Sequence, residues 1–321
     1  MTLTREDRRA LSAATSERHT ALAEWKTLLS ETAFLDISPN TQRLAPLIYH
    51  NLRKTSSLPE RNRLRGAYKH TWAKNLGQLT SFLPVIDDLQ ASGINYRVIK
   101  GVAIQLATGL LGSRVVGDID VVIKASDLEA TVAVLEKRGF QCHTRARCGF
   151  HTQGFPEGAL GFNHGEHHID LHVAERKDPS RLLVWMLETP PIFHPIRSSQ
   201  IAIPPAESLI LHSSLHGHRG EAETDLIQAL CDITLLQPLS SRHAVRHLAT
   251  RTRTWREWKT TQVRLRNLAE RGEVSKGESP RKHRTSRSAP TLPLLARLPR
   301  AARLIKQRNI GLKSLFTVAR Q

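Results

Sequence analysis

The amino-acid sequence predicts an α+β protein in which a short β-rich region lies between two helical regions. Residues 1–92 carry apolar side chains at helical spacings, residues 93–176 contain short runs of β-branched residues, and residues 177–245 return to helical spacings. The chain has 321 residues, of which 40% are hydrophobic and 5% aromatic, so it can build one large or two small domains around an aliphatic core. Residues 246–321 are predicted to form a basic, partly disordered tail.

The N-terminal region is predicted to contain two long helical stretches. The first covers Thr20–Lys54 and has a break around Asp36–Asn40. The second runs from Glu60 to Leu89 and ends at Gly93, which suits the left-handed position after a helix.

The central region opens with a strand, a helix and a second strand. The two strands are Asn95–Ile99 and Asp118–Ile123, and the helix between them covers Val102–Leu111 and stops at Gly112.

A second helix follows, and its start carries a capping signal. Ser126 and Glu129 have the spacing of a capping box, which predicts a helix that runs to Arg138 and ends at Gly139. Three further strands are predicted after it, the last two as a hairpin: Phe140–Thr144, Ala159–Asn163 and Glu166–Ala174.

Helical character returns between residues 180 and 240. The first part is interrupted by five prolines: Pro190, Pro191, Pro195, Pro204 and Pro205. Helices are predicted over Leu209–His216 and Asp225–Leu236. Residues 271–293 have the composition of a disordered linker, and the last 28 residues could form a basic helix that Pro299 and Gly311 interrupt.

The net charge of +18 belongs mainly to the C-terminal part of the chain. Residues 251–321 hold 19 of the 47 lysines and arginines but 4 of the 29 acids, so the preceding body is almost neutral. The chain opens without a signal-peptide pattern and has no run of roughly 18 apolar residues, which predicts a cytoplasmic protein without a transmembrane segment. Cys142, Cys148 and Cys231 lack a metal-ligand spacing and are predicted to be free thiols.

Two aspartates on one predicted strand are the first sign of chemistry. Side chains alternate between faces along a strand, so Asp118 and Asp120 share a face, while Ile119, Val121 and Ile123 face the other side. Neighbouring carboxylates repel each other unless a cation lies between them, and divalent ions prefer such oxygen ligands.

A second strand adds a third carboxylate. Asp170 shares a face with His168 and His172, and the reverse face is largely apolar. If the two strands are neighbours, three carboxylates converge, and such a set can hold two metal ions about 3.5–4 Å apart for phosphoryl transfer.

The pair Lys100-Gly101 lies between the first strand and the first helix of the central region. A helix N-terminus, backbone amides and a cation at one point suit a triphosphate, and a glycine allows close approach of phosphate to the backbone.

These motifs together resemble a known family. The order Lys100-Gly101, helix, Arg114-x-x-Gly-Asp118-Ile-Asp120 and then His-Ile-Asp170-Leu-His172 is similar to an uncharacterised bacterial nucleotidyltransferase family within the DNA polymerase β-like superfamily. The resemblance extends over about residues 25–240. It implies a polymerase β-like core over residues 93–176, formed by a small mixed sheet with flanking helices.

The resemblance also implies roles for the residues. Asp118, Asp120 and Asp170 would bind Mg²⁺ (or Mn²⁺) and catalyse transfer of a nucleotidyl group from a nucleoside triphosphate such as ATP, by in-line attack of an acceptor hydroxyl. Asp170 would also help to deprotonate that hydroxyl. Lys100, Gly101 and Arg114 would contact the phosphates, and the acceptor is not specified.

The histidines and Asp232 allow other interpretations. His168, Asp170 and His172 could form a zinc or nickel site, and Arg114 could instead cap the preceding turn or pair with a surface acid. His212 and His216, one helical turn apart, are interpreted as core or supporting residues, and Asp225 and Asp232 as structural.

Three interpretations of the basic tail stay open. Trp255 and Trp258 lie among basic residues and could grip a nucleic acid by stacking. Apolar residues near the end of the chain could lie on an anionic membrane surface: Leu304, Ile305, Leu312, Leu315 and Phe316. The tail could also be a solvated extension without a partner.

Two other functional classes compete with an active transferase that acts on a small molecule or polymer. One is a catalytically inactive module that binds nucleotide or nucleic acid through the tail. The other is a toxin-type transferase that modifies tRNA or protein.

Overall fold

The computed structural model describes residues 3–143, 159–175, 181–219 and 223–274. Within these ranges the chain has the predicted α+β architecture, with a five-stranded mixed sheet between helical regions and a separate two-stranded sheet. None of the helices in the described ranges is long and apolar enough to cross a bilayer.

Helices alone make up the part of the chain before the sheet. They are α1 Arg5–Thr15, α2 Arg18–Glu31, α3 Pro39–Gln42, α4 Ala45–Leu52 and α5 Arg61–Ala91. The predicted break in the first helical stretch is confirmed, because a 3₁₀ turn at Phe34–Asp36 and the short α3 separate α2 from α4. The predicted end of the second stretch is also confirmed, since Gly93 follows α5 with a φ of +67°.

The main sheet has the strand order β1-β2-β5-β4-β3. Its strands are β1 Tyr96–Ile99, β2 Ile119–Lys124, β3 Gln141–Cys142, β4 Leu160–His164 and β5 His167–Ala174. β2 pairs with β1 antiparallel and with β5 parallel, and β4 pairs antiparallel with β5 and β3. The parallel pair lies at the centre of the sheet, so the strand carrying the D-x-D motif has a neighbour on each side.

Two helices connect these strands, and the first and last residues of both differ from the prediction. α6 covers Lys100–Thr108 and stops at Gly109, which has a φ of +67°, rather than at Gly112. Gly112 has a different role: a Cβ there would lie 2.7 Å from the Cβ of Trp72, so glycine permits close contact with α5.

The predicted capping box is wrong. α7 covers Leu128–Lys137, and a 3₁₀ turn at Ala125–Asp127 precedes it, which makes Asp127 the N-cap. Ser126 therefore lies within that turn and donates to Asp127 Oδ1 at 3.1 Å instead of capping the helix.

The C-terminal region contains a hairpin that sequence analysis assigned to helical structure. Its elements are α8 Leu182–Glu188, β6 Ile192–Ile196, β7 Ser199–Ile203, α9 Ala206–Arg219, α10 Glu223–Leu236, α11 Arg242–Arg251 and α12 Trp255–Val274. Pro195 is tolerated within β6 because this strand pairs on one side only, with β7, in a two-stranded sheet. Tyr96 joins the hairpin to β1 by donating to the Gln200 carbonyl at 3.2 Å.

The predicted linker begins too early, because α12 continues to Val274. Residues 246–251 and 255–274 are helical in the structure, and α11 spans the proposed boundary at residue 246. The rest of the predicted linker, the predicted terminal helix and Cys148 lie outside the described residues.

Buried apolar side chains form two clusters, and α10 contributes to both. Leu226, Leu230 and Cys231 pack with the N-terminal helices, whereas Ile233 and Leu236 belong to the cluster around the main sheet. α10 therefore couples the helical region to the sheet that carries the acidic residues.

Candidate active site

Three carboxylates meet at the centre of the main sheet. Asp120 in β2 and Asp170 in β5 are direct partners in the parallel register, and Asp118 immediately precedes β2 by one residue. One carboxylate oxygen from each of the three lies within 4.8 Å of the others. In the described part of the chain this is the one cluster of three or more side chains that could ligate a metal ion.

The three acids differ in exposure and in protonation. Asp120 is 2% exposed, whereas Asp118 and Asp170 are half-buried. Burial, and then the neighbouring charges of Asp120 and Asp170, raise the pKa of the Asp118 carboxyl above its ordinary value. Burial and the neighbouring acids therefore disfavour the ionised form of Asp118.

Two donors compensate the buried Asp120. Lys100 Nζ lies 2.5 Å and His172 Nε2 lies 2.9 Å from the same oxygen, Oδ1. Burial would raise the pKa of this carboxyl, but the hydrogen bond from His172 and the charge of Lys100 outweigh burial and hold its pKa below the ordinary value. Asp120 is therefore ionised in the folded protein.

Lys100 reaches Asp120 because of where β1 ends. Ile99, the last residue of β1, pairs with Asp120, and Lys100 follows it as the first residue of α6. Lys100 has a φ of +52°, the left-handed conformation that a residue with a Cβ adopts at a cost. This sharp strand-to-helix transition places the lysine side chain and the helix N-terminus beside the acids.

Gly101 makes room for an arginine rather than standing open to a phosphate. A Cβ at this position would overlap Nη1 of Arg114 and would lie 3.0 Å from Cγ2 of Val116. The predicted reason for the glycine, close approach of phosphate, therefore needs correction: in this structure the guanidinium occupies that space.

Arg114 is held by Asp232, which sequence analysis interpreted as structural. Arg114 Nε donates to both carboxylate oxygens of Asp232, at 3.0 and 3.2 Å, and Gln228 donates to the same carboxylate at 2.9 Å. Burial would lower the pKa of the guanidinium, but the charge and hydrogen bonds of Asp232 raise it above its ordinary value. Pairing with a surface acid was one predicted alternative for Arg114, whereas the acid that it pairs with is buried and lies in α10.

The zinc or nickel interpretation fits the structure poorly. His172 is bound to Asp120, while His168 is exposed and its Nδ1 lies 2.7 Å from Oδ1 of Asn163. His212, on α9, lies behind the site: burial, followed by the charges of Lys100 and His172, lowers its pKa to about 3. At neutral pH the imidazole of His212 is therefore uncharged.

His143 is a further candidate that sequence analysis did not identify. A Cβ on Gly161 would overlap the imidazole of His143, so the ring occupies the place of a side chain at position 161. Gly161 is the antiparallel partner of Asp170, and side chains directly opposed in such a pair stand about 4.5–5.5 Å apart. The exposed His143 ring thus lies beside Asp170. Gly161, a glycine inside a predicted strand, was the sequence feature that could have indicated this close approach of another side chain.

Of the two tryptophans proposed to grip a nucleic acid, one is used for packing and the other, Trp255, is exposed. Trp258 is 4% exposed and belongs to the main core cluster, so it cannot stack on a base. The Trp255 ring lies 4.9 Å from the Trp258 ring, with the Arg246 guanidinium 5.4 Å from its centre. The apolar residues proposed to contact a membrane lie outside the described residues.

Comparison with known proteins gives one family and several distant structures. The model of a family described as "uncharacterised nucleotidyltransferase" matches residues 32–263. No curated protein sequence matches the chain.

Similar solved structures align with about three fifths of the chain. The solution structure of the antibiotic-resistance factor ANT(2'')-Ia is 12% identical, with 63% of this chain and 100% of that one covered and a TM-score of 0.39. A crystal structure of ANT(2'')-Ia with adenylyl-2''-tobramycin is 13% identical, with 61% and 98% covered and a TM-score of 0.35. An antigenic nucleotidyltransferase-like protein from Paracoccidioides brasiliensis is 17% identical, with 63% and 91% covered and a TM-score of 0.38.

Proposed function

Since the chain belongs to the uncharacterised nucleotidyltransferase family, we propose that it transfers a nucleotidyl group from a nucleoside triphosphate to an acceptor hydroxyl, with Asp118, Asp120 and Asp170 as the metal-binding and catalytic residues. The observation that carries this proposal is the convergence of the three carboxylates within 4.8 Å on two paired strands. Transfer of a nucleotidyl group needs cations that neutralise the triphosphate, and three carboxylates offer the oxygen ligands for such cations.

The donor set suits Mg²⁺ or Mn²⁺. All three groups are carboxylates, which are the hard oxygen ligands that these ions prefer. Burial raises the pKa of Asp118, and repulsion from Asp120 and Asp170, which a bound cation would relieve, raises it further. When bound, divalent ions would neutralise the triphosphate and make the acceptor hydroxyl more acidic.

In this proposal Asp170 acts on the acceptor hydroxyl, and the residues around Lys100 bind the triphosphate. Asp170, which is half-buried, takes the proton of the acceptor hydroxyl. The hydroxyl oxygen then forms a bond to the α-phosphorus, the bond from that phosphorus to the bridging oxygen breaks, and pyrophosphate leaves. We assign His143, next to Asp170, a contact with the acceptor.

The phosphates would bind at the other end of the cluster. The N-terminus of α6 presents free backbone amides and a partial positive charge, and Lys100 stands at that terminus. Arg114 contributes positive charge from the position in which Asp232 holds it. We therefore keep Lys100, Gly101 and Arg114 as the phosphate-binding set, with Gly101 making room for the Arg114 guanidinium and Arg114 acting through its charge.

Replacing Asp120 by asparagine tests this function. Pyrophosphate release from each of ATP, GTP, CTP and UTP would be measured with Mg²⁺, with glycerol and bulk tRNA as acceptors. We expect Asp120→Asn to lower release at least about 100-fold, because loss of one charge-stabilising group at an active site has an effect of this size. Asp87→Asn, on the exposed surface of α5, is the matched control and should leave release unchanged. Equal turnover in Asp120→Asn and the wild type would rule the assignment out.

A further inference from the structure

Lys100 occupies a position in the carboxylate cluster that a divalent cation would compete for. Its ammonium lies 2.5 Å from Oδ1 of Asp120, and the lysine side chain is 22% exposed while that of Asp120 is 2% exposed. We propose that Lys100 is an internal counter-ion, which neutralises Asp120 in the metal-free protein, leaves it when a divalent ion binds, and then contacts the triphosphate. This inference rests on the proposed function, because it requires the three acids to be the metal site.

The charge of the site makes such a counter-ion necessary. Without a cation, three carboxylates within 4.8 Å of one another would repel strongly, most of all at the buried Asp120. Lys100 and His172 both contact Oδ1 of Asp120, but His172 can donate as a neutral imidazole. The ammonium is therefore the full positive charge in direct contact with this carboxylate.

The other nearby cation is committed elsewhere. Arg114 is fixed by two hydrogen bonds to Asp232, and its guanidinium packs against Gly101. Lysine, by contrast, has a compact charge on a flexible four-carbon stem, so its ammonium can move while the backbone stays in place. Of these two groups, Lys100 is the one suited to exchange partners.

The backbone at Lys100 also favours a movement of the side chain alone. The residue lies between β1 and α6 with a φ of +52°, and both neighbouring elements are buried. The N-terminus of α6 directs its amides to the place proposed for the phosphates. A lysine that leaves Asp120 from this position meets the anionic substrate at the same helix terminus.

Chemical labelling of lysines tests the movement directly in the full chain. Acetylation by an activated acetate ester would be measured by mass spectrometry for Lys100 and for Lys69, an exposed control on α5. We expect Lys100 to react slowly in the metal-free protein, at least about fivefold faster with Mn²⁺ alone, and slowly again with Mn²⁺ and a non-hydrolysable ATP analogue. Lys69 should react equally in all three conditions.

Metal affinity supplies the second readout. Lys100→Met should bind Mn²⁺ at least about tenfold more tightly than the wild type, measured by electron paramagnetic resonance of free Mn²⁺, because the competing charge has gone. The same variant should bind the ATP analogue more weakly. Lys69→Met is the matched control and should change neither affinity.

The outcomes separate this inference from the proposed function. If Asp120→Asn weakens Mn²⁺ binding while Lys100→Met does not strengthen it and Mn²⁺ does not unmask Lys100, the metal site stands and the counter-ion role is wrong. If Asp120→Asn and the wild type bind Mn²⁺ equally, the site and the counter-ion role are both wrong. Labelling of Lys100 that stays fast with the ATP analogue would contradict the contact with the triphosphate.

Discussion

A single hydrogen atom as the side chain of residue 101 allows the Arg114 guanidinium to pack against the start of α6. Arg114 cannot easily yield, because Asp232 holds its Nε through two hydrogen bonds. Gly101→Ala should therefore lower the free energy of unfolding by about 1–3 kcal/mol, the usual cost of overpacking, and weaken binding of an ATP analogue. Urea unfolding and calorimetry would measure the two effects.

The matched control for that variant is Gly66→Ala in α5. A Cβ at Gly66 meets no atom within 4 Å, so alanine should raise the unfolding free energy by about 0.5–1 kcal/mol through its higher helix propensity. If Gly101→Ala proved as stable as Gly66→Ala, Arg114 would not be held in the way described.

At His212 the structure predicts a pH dependence. Burial, and then Lys100 and His172, lower the pKa of this histidine from 6.5 to about 3. Between these values the unfolded chain binds a proton that the folded protein does not, so stability falls as the pH is lowered below about 6.5. Between pH 7 and pH 4.5 the wild type should therefore lose about 2 kcal/mol more unfolding free energy than His212→Gln. The reason is that uptake of one proton on unfolding changes this free energy by about 1.4 kcal/mol per pH unit.

Urea unfolding of this variant at the two pH values would measure the difference. His243→Gln, which changes an exposed histidine on α11, should leave the acid dependence as in the wild type. Identical slopes for wild type and His212→Gln would contradict the burial of a neutral imidazole.

At the scale of elements, local periodicity predicted the strands of the site but not which strands pair with each other. Alternation along β2 and β5 was enough to place the acids on one face, because side chains in a strand repeat every two residues. The pairing of Asp120 with Asp170 depends on the register of two distant strands, which no local pattern encodes. The contact between Arg114 and Asp232 joins residues 118 positions apart and was equally inaccessible.

Because Asp232 lies in α10, the Arg114–Asp232 ion pair also links the stability of the site to that helix. The two side chains are 15% and 4% exposed, so removal of one charge leaves the other buried without its partner. Asp232→Asn should cost about 3–5 kcal/mol of unfolding free energy, and Arg114→Met with Asp232→Leu should restore most of it. Urea unfolding would measure both, and a cost below about 1 kcal/mol for the single change would contradict a buried ion pair.

The rate at which Cys231, the residue before Asp232, is alkylated measures how tightly α10 is packed. Cys231 is 1% exposed, and burial raises its pKa, so alkylation should be slow in the wild type. Asp232→Asn should speed alkylation of Cys231, read by mass spectrometry of its peptide, if loss of the pair loosens α10.

At the scale of the whole molecule, the residues proposed to act in catalysis and the excess positive charge lie in different parts of the chain. The acids, Lys100 and Arg114 all lie before residue 275, and so do the two packed clusters of the described residues. After Val274 the sequence has 12 lysines and arginines but a single acid, Glu278. Composition predicted this division, whereas the extension of α12 to Val274 had to be read from the structure.

Truncation after Val274 separates an autonomous transferase from a module that binds through its tail. Because the described helices all end by Val274, the shortened chain should melt at the same temperature and bind the ATP analogue with Mg²⁺ as the full chain does. Its binding to bulk tRNA should fall and should depend less steeply on salt, since a chain that neutralises fewer phosphates releases fewer counter-ions. Thermal shift and filter binding at 50 and 200 mM salt would measure these properties. Loss of nucleotide binding in the shortened chain would instead assign that binding to the tail, and the body would not be a self-sufficient enzyme.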